Sequence, residues 1–460
     1  MRLRSRKMLF VILALLLAAG GVPIGIYQLQ TWNNRNELTA VIAELDRAGE
    51  PWRLADLEKR RANIADERNS ALVIRTAKPA SIWKIMPDSP EIDLLPWQAL
   101  PAGVCLKYRG AFEQFGENVK EARTLAAFPE GRFSYTIAPD VVSTLLPHVD
   151  AARPVAILLK HDAWWQIQQA DFEQAAASCR AAVYTSRSLR DELFIISHLI
   201  RHAMLREVAD TVERMCAQGQ PDAKSLRELQ RLFEEEAGFD GWTLALEGER
   251  AGMHQLFGHI ADGKVNMQFV RAMTGARRSS WRDYVSDYFP APSAAQSHAW
   301  LLRHFTDLLA ANKLPPPERT AKLKQLGEEA GKAPDPARML MAPPGFSPWT
   351  KLQNNQPRLE AKLRCTVAGL AAERFRLERK RWPDTIAALV PEYLAKAPLD
   401  PYTGEPLRLR ATKDGMVISS AGPDGLWQGD AWDQLPRTAP DWGSRHEHEF
   451  RLWNVEQRRK

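Results

Sequence analysis

Histidine, cysteine and acidic residues are scattered along the 460 positions of this chain, and few stand at a spacing that a reaction needs. His198 and His202 are one helical turn apart, which puts two imidazoles on one face where they could share a metal. The residues between them are Leu199-Ile200-Arg201, so the HExxH pattern with its glutamate base is missing and no third ligand is indicated. Packing histidines in an apolar helix are the expected reading. His254 and His259 are off-register for a single face. His446-Glu447-His448-Glu449 offers four donors in a row, in a stretch that reads as a solvated polar tail. Glu234-Glu235-Glu236 reads as the wet face of a helix. Nucleophile elbow, phosphate loop and dinucleotide fingerprint are all missing. Cys105, Cys179, Cys216 and Cys365 fit no CxxC or zinc spacing, and Cys179 and Cys365 fall among apolar helical positions, as buried thiols do. No residue stands out as catalytic, and a non-enzymatic protein is the expectation.

The elements that would position these groups begin at an apolar run. Arg2, Arg4, Arg6 and Lys7 precede Met8 to Tyr27, which carries no charge. Twenty helical residues rise about 30 Å, the thickness of a bilayer core. The cations before the run predict a cytoplasmic N-terminus, with the bulk of the chain outside the cytoplasm. Leu17-Ala18-Ala19-Gly20 suits a signal-peptide cleavage site, but apolar character continues through Val22, Ile24 and Ile26, which favours an uncleaved single-pass anchor over residues 1–30 in the inner membrane. Charged residues make up 26% and the net charge is +6, a mild surplus. The densest basic stretch, Arg277-Arg278-Ser279-Ser280-Trp281-Arg282 with Tyr284 and Tyr288, reads as a solvated loop, and no nucleic-acid partner is expected.

The spacing of apolar residues predicts a mainly α protein. Residues 31–150 read as an irregular α-rich region: a helix from Asn36 to Arg61, then short helices broken by Pro87, Pro90, Pro96 and Pro101. Residues 151–311 read as a helical-hairpin array. Two amphipathic stretches flank a break at Gln168 to Asp171, with Ala175, Cys179 and Ala182 small enough for close approach. Asp171 to Val183 resembles the second helix of a tetratricopeptide repeat, without a second copy at the required period. Further helices are expected at Glu192–Ala217, Ala223–Glu236, Leu244–Ile260 and Ser293–Leu309. A Pro-rich linker over 312–356 should hold one polar helix, Glu318 to Glu329, with Pro334, Pro336, Pro343 and Pro344 keeping the rest extended.

From 357 to 445 the pattern is a small α+β module. Leu359, Leu363, Val367, Ala371 and Phe375 make a helical stripe over Pro357 to Lys380. Asp384 would cap a short helix, and Leu407 to Arg410 and Met416 to Ser420 alternate as two strands joined at Lys413-Asp414-Gly415, a β-hairpin. A polar tail, 446–460, completes the chain.

The order Arg381-Trp382-Pro383, Leu389-Val390-Pro391-Glu392-Tyr393-Leu394, Pro398-Leu399-Asp400-Pro401-Tyr402, Gly404-Glu405-Pro406-Leu407 and Ser420-Ala421-Gly422-Pro423-Asp424-Gly425 resembles the globular end of type II secretion major pseudopilins. The overall layout resembles uncharacterised membrane-anchored envelope proteins of planctomycete-type bacteria. The pseudopilin resemblance implies calcium in the loop after the last strand, with Asp424, Asp430 and Asp433 as ligands. The chain departs from those proteins in lacking their processing site and the glutamate five residues into the apolar helix, and its module lies more than about 300 residues from the anchor. A pilus-like fibre is therefore not expected. The expected function is a non-enzymatic envelope scaffold that binds other envelope proteins. An envelope hydrolase with a site between the helices and the module, or an accessory component of a secretion system, are the alternatives. A scaffold calls for an apolar groove; a hydrolase calls for a deep pocket with paired acids or histidines.

Overall fold

The computed structural model describes residues 21–78, 94–275, 291–341, 348–427 and 448–459. It is mainly helical, with a small three-stranded antiparallel sheet towards the C-terminus. The helices are α1 (Val22–Arg47), α2 (Leu54–Arg60), α3 (Ser70–Ala77), α4 (Ala102–Thr124), α5 (Val149–Gln168), α6 (Phe172–Arg187), α7 (Ile195–Gln218), α8 (Ala223–Ala237) and α9 (Gly241–Ala261). They continue with α10 (Met267–Thr274), α11 (Ala291–Asn312), α12 (Pro316–Ala330), α13 (Asp335–Met341) and α14 (Pro348–Arg379). The strands are β1 (Arg408–Thr412), β2 (Gly415–Ser420) and β3 (His448–Trp453).

Several helix starts follow from one residue each. Asp171, Asp222 and Asp240 each accept hydrogen bonds from backbone N–H groups two or three residues on, opening α6, α8 and α9. α5 and α6 then form the expected hairpin, and Ala175, Cys179 and Ala182 are buried at its contact. A buried polar cluster ties α4 to it. The Asp162 carboxylate accepts from Arg123 (2.6 and 2.8 Å), Ser178 Oγ (2.6 Å) and Gln166 (3.1 Å).

Two principal cores result. One runs from Ala71 through α5–α8 and on into α14 and the sheet, ending at Leu452. The other gathers α9–α13, with Phe257, Phe305, Leu326 and Met341 at its centre. The C-terminal module thus packs back on α7 and α8 instead of standing apart, while α9–α13 form a second lobe between them in sequence. α14 lies across the sheet so closely that a Cβ at Gly369 would come 2.2 Å from the buried Phe450 ring.

Several expectations need correction, among them the start of α14, which lies at Pro348 with Pro357 inside the helix. The helix expected from Asn36 to Arg61 is two, α1 and α2, because Gly49 takes a left-handed φ of 73° and Pro51 follows it. The stretch 334–341 is not extended: α13 starts at Asp335, and Ala337, Met339 and Met341 are buried, because a proline in the first helical turn needs no N–H partner. α4 spans Ala102–Thr124 with a kink at Phe115, where the backbone leaves the helical region (φ -106°, ψ 18°); Pro101 sits at its N-cap and starts it where a break was expected. The polar tail holds β3, whose Phe450, Leu452 and Trp453 are buried against β2. Thr385, not Asp384, caps the short 3-10 turn Ile386–Leu389, its hydroxyl accepting from the Ala388 N–H at 3.3 Å. The hairpin itself forms as expected, with Thr412 opposite Gly415 across Lys413-Asp414. Among the described residues no helix is long and apolar enough to cross a membrane; most of the Met8–Tyr27 run lies in 1–20, outside them.

Candidate binding cleft

Between α8, α14 and residues 394–399 lies a cleft of about 700 Å³. Its floor is Val367, and Leu394, Ala397 and Pro398 form one wall against Ala237 and Gly238 at the end of α8. Leu399, 48% exposed, stands at its mouth. Glu234, Arg364 and Lys396 are the ionisable residues that reach it. Arg364 is committed elsewhere: it donates to the Leu399 carbonyl (2.7 Å) and to Glu360 (3.2 Å), and so fixes the wall. Gln230 fixes the opposite corner, donating to the Tyr393 carbonyl (2.8 Å) and accepting from Arg374 (2.7 Å). Tyr393 in turn donates to Glu378 at 2.7 Å. Lined this way, the cleft can seat an apolar segment. Among the described residues it brings no pair of acids or histidines together around a reacting atom.

Buried carboxylates that hold ion pairs lie elsewhere. Glu192, fully buried, accepts from Arg61 (3.3 Å) and Ser197 (3.3 Å) and bonds His148 Nε2 (3.1 Å). This joins α2 and the 133–148 segment to the start of α7. Glu236, also buried, takes Arg187 (2.6 Å) and Arg201. The run Glu234-Glu235-Glu236 is therefore not a wet face throughout: Glu234 is exposed, Glu235 pairs with Arg187 and Arg231, and Glu236 turns inward on the 100° advance per residue. Glu373 holds Arg376 and Arg458 in the same manner.

His198 and His202 are both buried in α7, and burial pushes both below the ordinary imidazole range, His198 to about 4. His198 Nε2 bonds the Glu192 carbonyl at 2.8 Å and His202 lies beside Trp242; they are packing residues. His254 shares a hydrogen bond of 3.0 Å with His298 and lies edge-on to Trp52, a pairing invisible in sequence because α9 and α11 supply one each. His259 bonds the Pro139 carbonyl at 2.8 Å. The four cysteines are free thiols, Cys179, Cys216 and Cys365 buried; burial pushes Cys179 up to about 12.

Of the calcium candidates only Asp424 is described. It is exposed, and one carboxylate oxygen accepts from the Leu426 N–H at 3.0 Å, closing a turn. Asp430 and Asp433 lie outside the described residues, as do Arg277 to Tyr288 and His446-Glu447. Among the described residues no three His, Cys, Asp or Glu side chains are grouped to hold a metal ion.

One residue of the C-terminal motif has a role that its spacing did not reveal. Asp400 is fully buried and accepts from the N–H groups of Tyr402 (2.8 Å) and Ala421 (2.6 Å) and from Ser420 Oγ (3.2 Å). It ties the Asp-Pro-Tyr block to the Ser-Ala-Gly block, and this lock holds the cleft wall at Leu399. Compared with known proteins, the chain matches no family model, no curated sequence and no solved structure.

Proposed function

We propose that this protein is a non-enzymatic scaffold of the bacterial envelope, anchored in the inner membrane by residues 8–27 with its bulk on the periplasmic side. Its finer architecture belongs to the same reading: a transmembrane anchor, a helical-hairpin array, and a pseudopilin-like module after it. The observation that carries the reading is the cleft, whose largely apolar lining, with Arg364 committed to its wall, suits an apolar segment of an envelope partner. The same lining weighs against the hydrolase alternative, which needs convergent acids or histidines.

A photo-reactive side chain at position 399 tests it in the full chain in its native membrane. One partner should cross-link from 399 and not from Leu145, which is 81% exposed on a different part of the chain. Equal cross-linking from both positions, or none from 399, sinks the reading. A place for this scaffold beside a type II secretion-like system, and calcium at Asp424, Asp430 and Asp433, rest on the resemblance alone. For calcium, the full chain should melt higher with the ion present, and Asp424→Ala should remove the rise; no rise in the unaltered chain ends that idea.

A further inference from the structure

The first three turns of α1 expose a broad apolar face, while Tyr27 and Thr31 are half-buried on the side that continues to Asn34, Leu38 and Val41. Val22, Ile24, Ile26, Leu29 and Trp32 are each more than half exposed, whereas Val41, further along the same helix, is buried. That face covers an arc of about 200° at 100° per residue, on the side turned away from the body, whereas a helix lying on a protein turns its apolar stripe towards it. Such an outward face suits lipid, with Trp32 at the level where aromatic side chains gather at a membrane–water interface.

α11 fixes where that level cuts the body of the molecule. Asn34 Nδ2 donates to the Pro292 carbonyl at 2.9 Å, Glu37 pairs with Arg303, and Val41 packs on Ala299 and Leu302. The two helices therefore run parallel, and α11 begins beside the residue two places after Trp32. α9 runs the opposite way along α11. Asn312 donates to Thr243 (2.9 Å), Arg250 donates to Thr306 (3.2 Å), and His254 meets His298. Its C-terminal end, Ala261, is thereby returned to the level of Pro292. A short turn later α10 begins, and its Met267 and Val270 are buried in the same core as Ala294 in the first turn of α11.

The outer face of α10 then has no protein to cover it among the described residues. Phe269 (41% exposed) and Met273 (49% exposed) are one turn apart and point away from that core. Together with the exposed end of α1 they make a second apolar feature at one end of the molecule. We infer that α10 is a lipid-contacting helix: it rests on the bilayer surface with Phe269 and Met273 in the interface, so that the body sits on the membrane at two points. This rests on the anchor reading above. A body held by one helix could tilt and stand off; a body with a second foothold presents the cleft at a fixed height and orientation to envelope partners.

The full chain in nanodiscs tests this with a fluorophore on single introduced cysteines, Trp32→Cys, Phe269→Cys, Met273→Cys and Leu145→Cys, the native-chain background being subtracted. Replacing phosphatidylcholine by its brominated form should quench the label at 32, 269 and 273 and leave 145 unchanged. Quenching at 32 with none at 269 and 273 overturns the second foothold and leaves the anchor intact. No quenching at 32 overturns the anchor, and the foothold with it.

Discussion

Glu236 sits in a run of three identical residues, and its neighbours differ from it only in where the helix turns them. Its carboxylate is shut off from water between Arg187 and Arg201, and Arg201 is itself buried. Breaking a buried pair from one side leaves an uncompensated charge and costs about 3–5 kcal/mol. Glu236→Gln should therefore lower the urea midpoint sharply, while Glu234→Gln, at an exposed position, should stay within about 0.5 kcal/mol. Equal behaviour of the two variants in urea unfolding would contradict the assigned pairing. The buried histidines add a pH dependence. His161, bonded to Tyr108 at 2.6 Å, and His298, bonded to His254, are held near 3 by burial, against an ordinary value of 6.5. Their stabilisation is complete above pH 6.5, where both folded and unfolded chains carry them neutral. It is lost as the pH falls from 6.5 towards 3, because the unfolded chain takes up protons that the fold refuses. Thermal unfolding followed between about pH 7.5 and about pH 4.5 should show a falling Tm; a flat profile would mean these rings are not sealed from water.

Close approach decides how the elements fit. α9 crosses the 189–194 connection so tightly that a Cβ at Gly248 would lie 1.9 Å from the Leu193 carbonyl oxygen. The obstacle is backbone, which cannot rotate away as a side chain tip can. Gly248→Ala gains helix propensity of about 1 kcal/mol, yet the forced shift costs more, about 1–3 kcal/mol for overpacking alone. The expected result is a less stable protein, checked by denaturant unfolding beside Gly258→Ala, where a Cβ meets open space and helix propensity should win. The same connection carries Glu192, so one short segment receives α2 through Arg61, the 133–148 segment through His148, and α9 through Gly248.

The molecule as a whole depends on its last residues. β3 completes the sheet under α14, Phe450 is fully buried against Gly369, and Arg458 closes on Glu373 at 2.9 Å. Removing residues 446–460 takes away a strand and leaves Glu373 without Arg458. The truncated chain should lose cooperative unfolding of the core shared by α7, α8 and α14, read as increased amide exchange there. Phe450→Ala should cost about 3–5 kcal/mol by the cavity it leaves. Retained protection in the truncated chain would show that the tail is dispensable.

What the sequence determined by itself is local: helix period, the α5–α6 hairpin with its small residues, and the turn at Lys413-Asp414. Each depends on neighbours within a few positions, and so is written in the order of residues. Tertiary structure alone decided the rest. Phe450, Arg451 and Leu452 alternate over too short a stretch among charged residues to declare a strand; β2 makes them one by offering its free edge. Which of three glutamates is buried depends on Arg187 and Arg201, which come from two other helices. The cleft draws its walls from α8, α14 and residues 394–399, and a surface built by distant segments has no spacing to be read until the chain has folded.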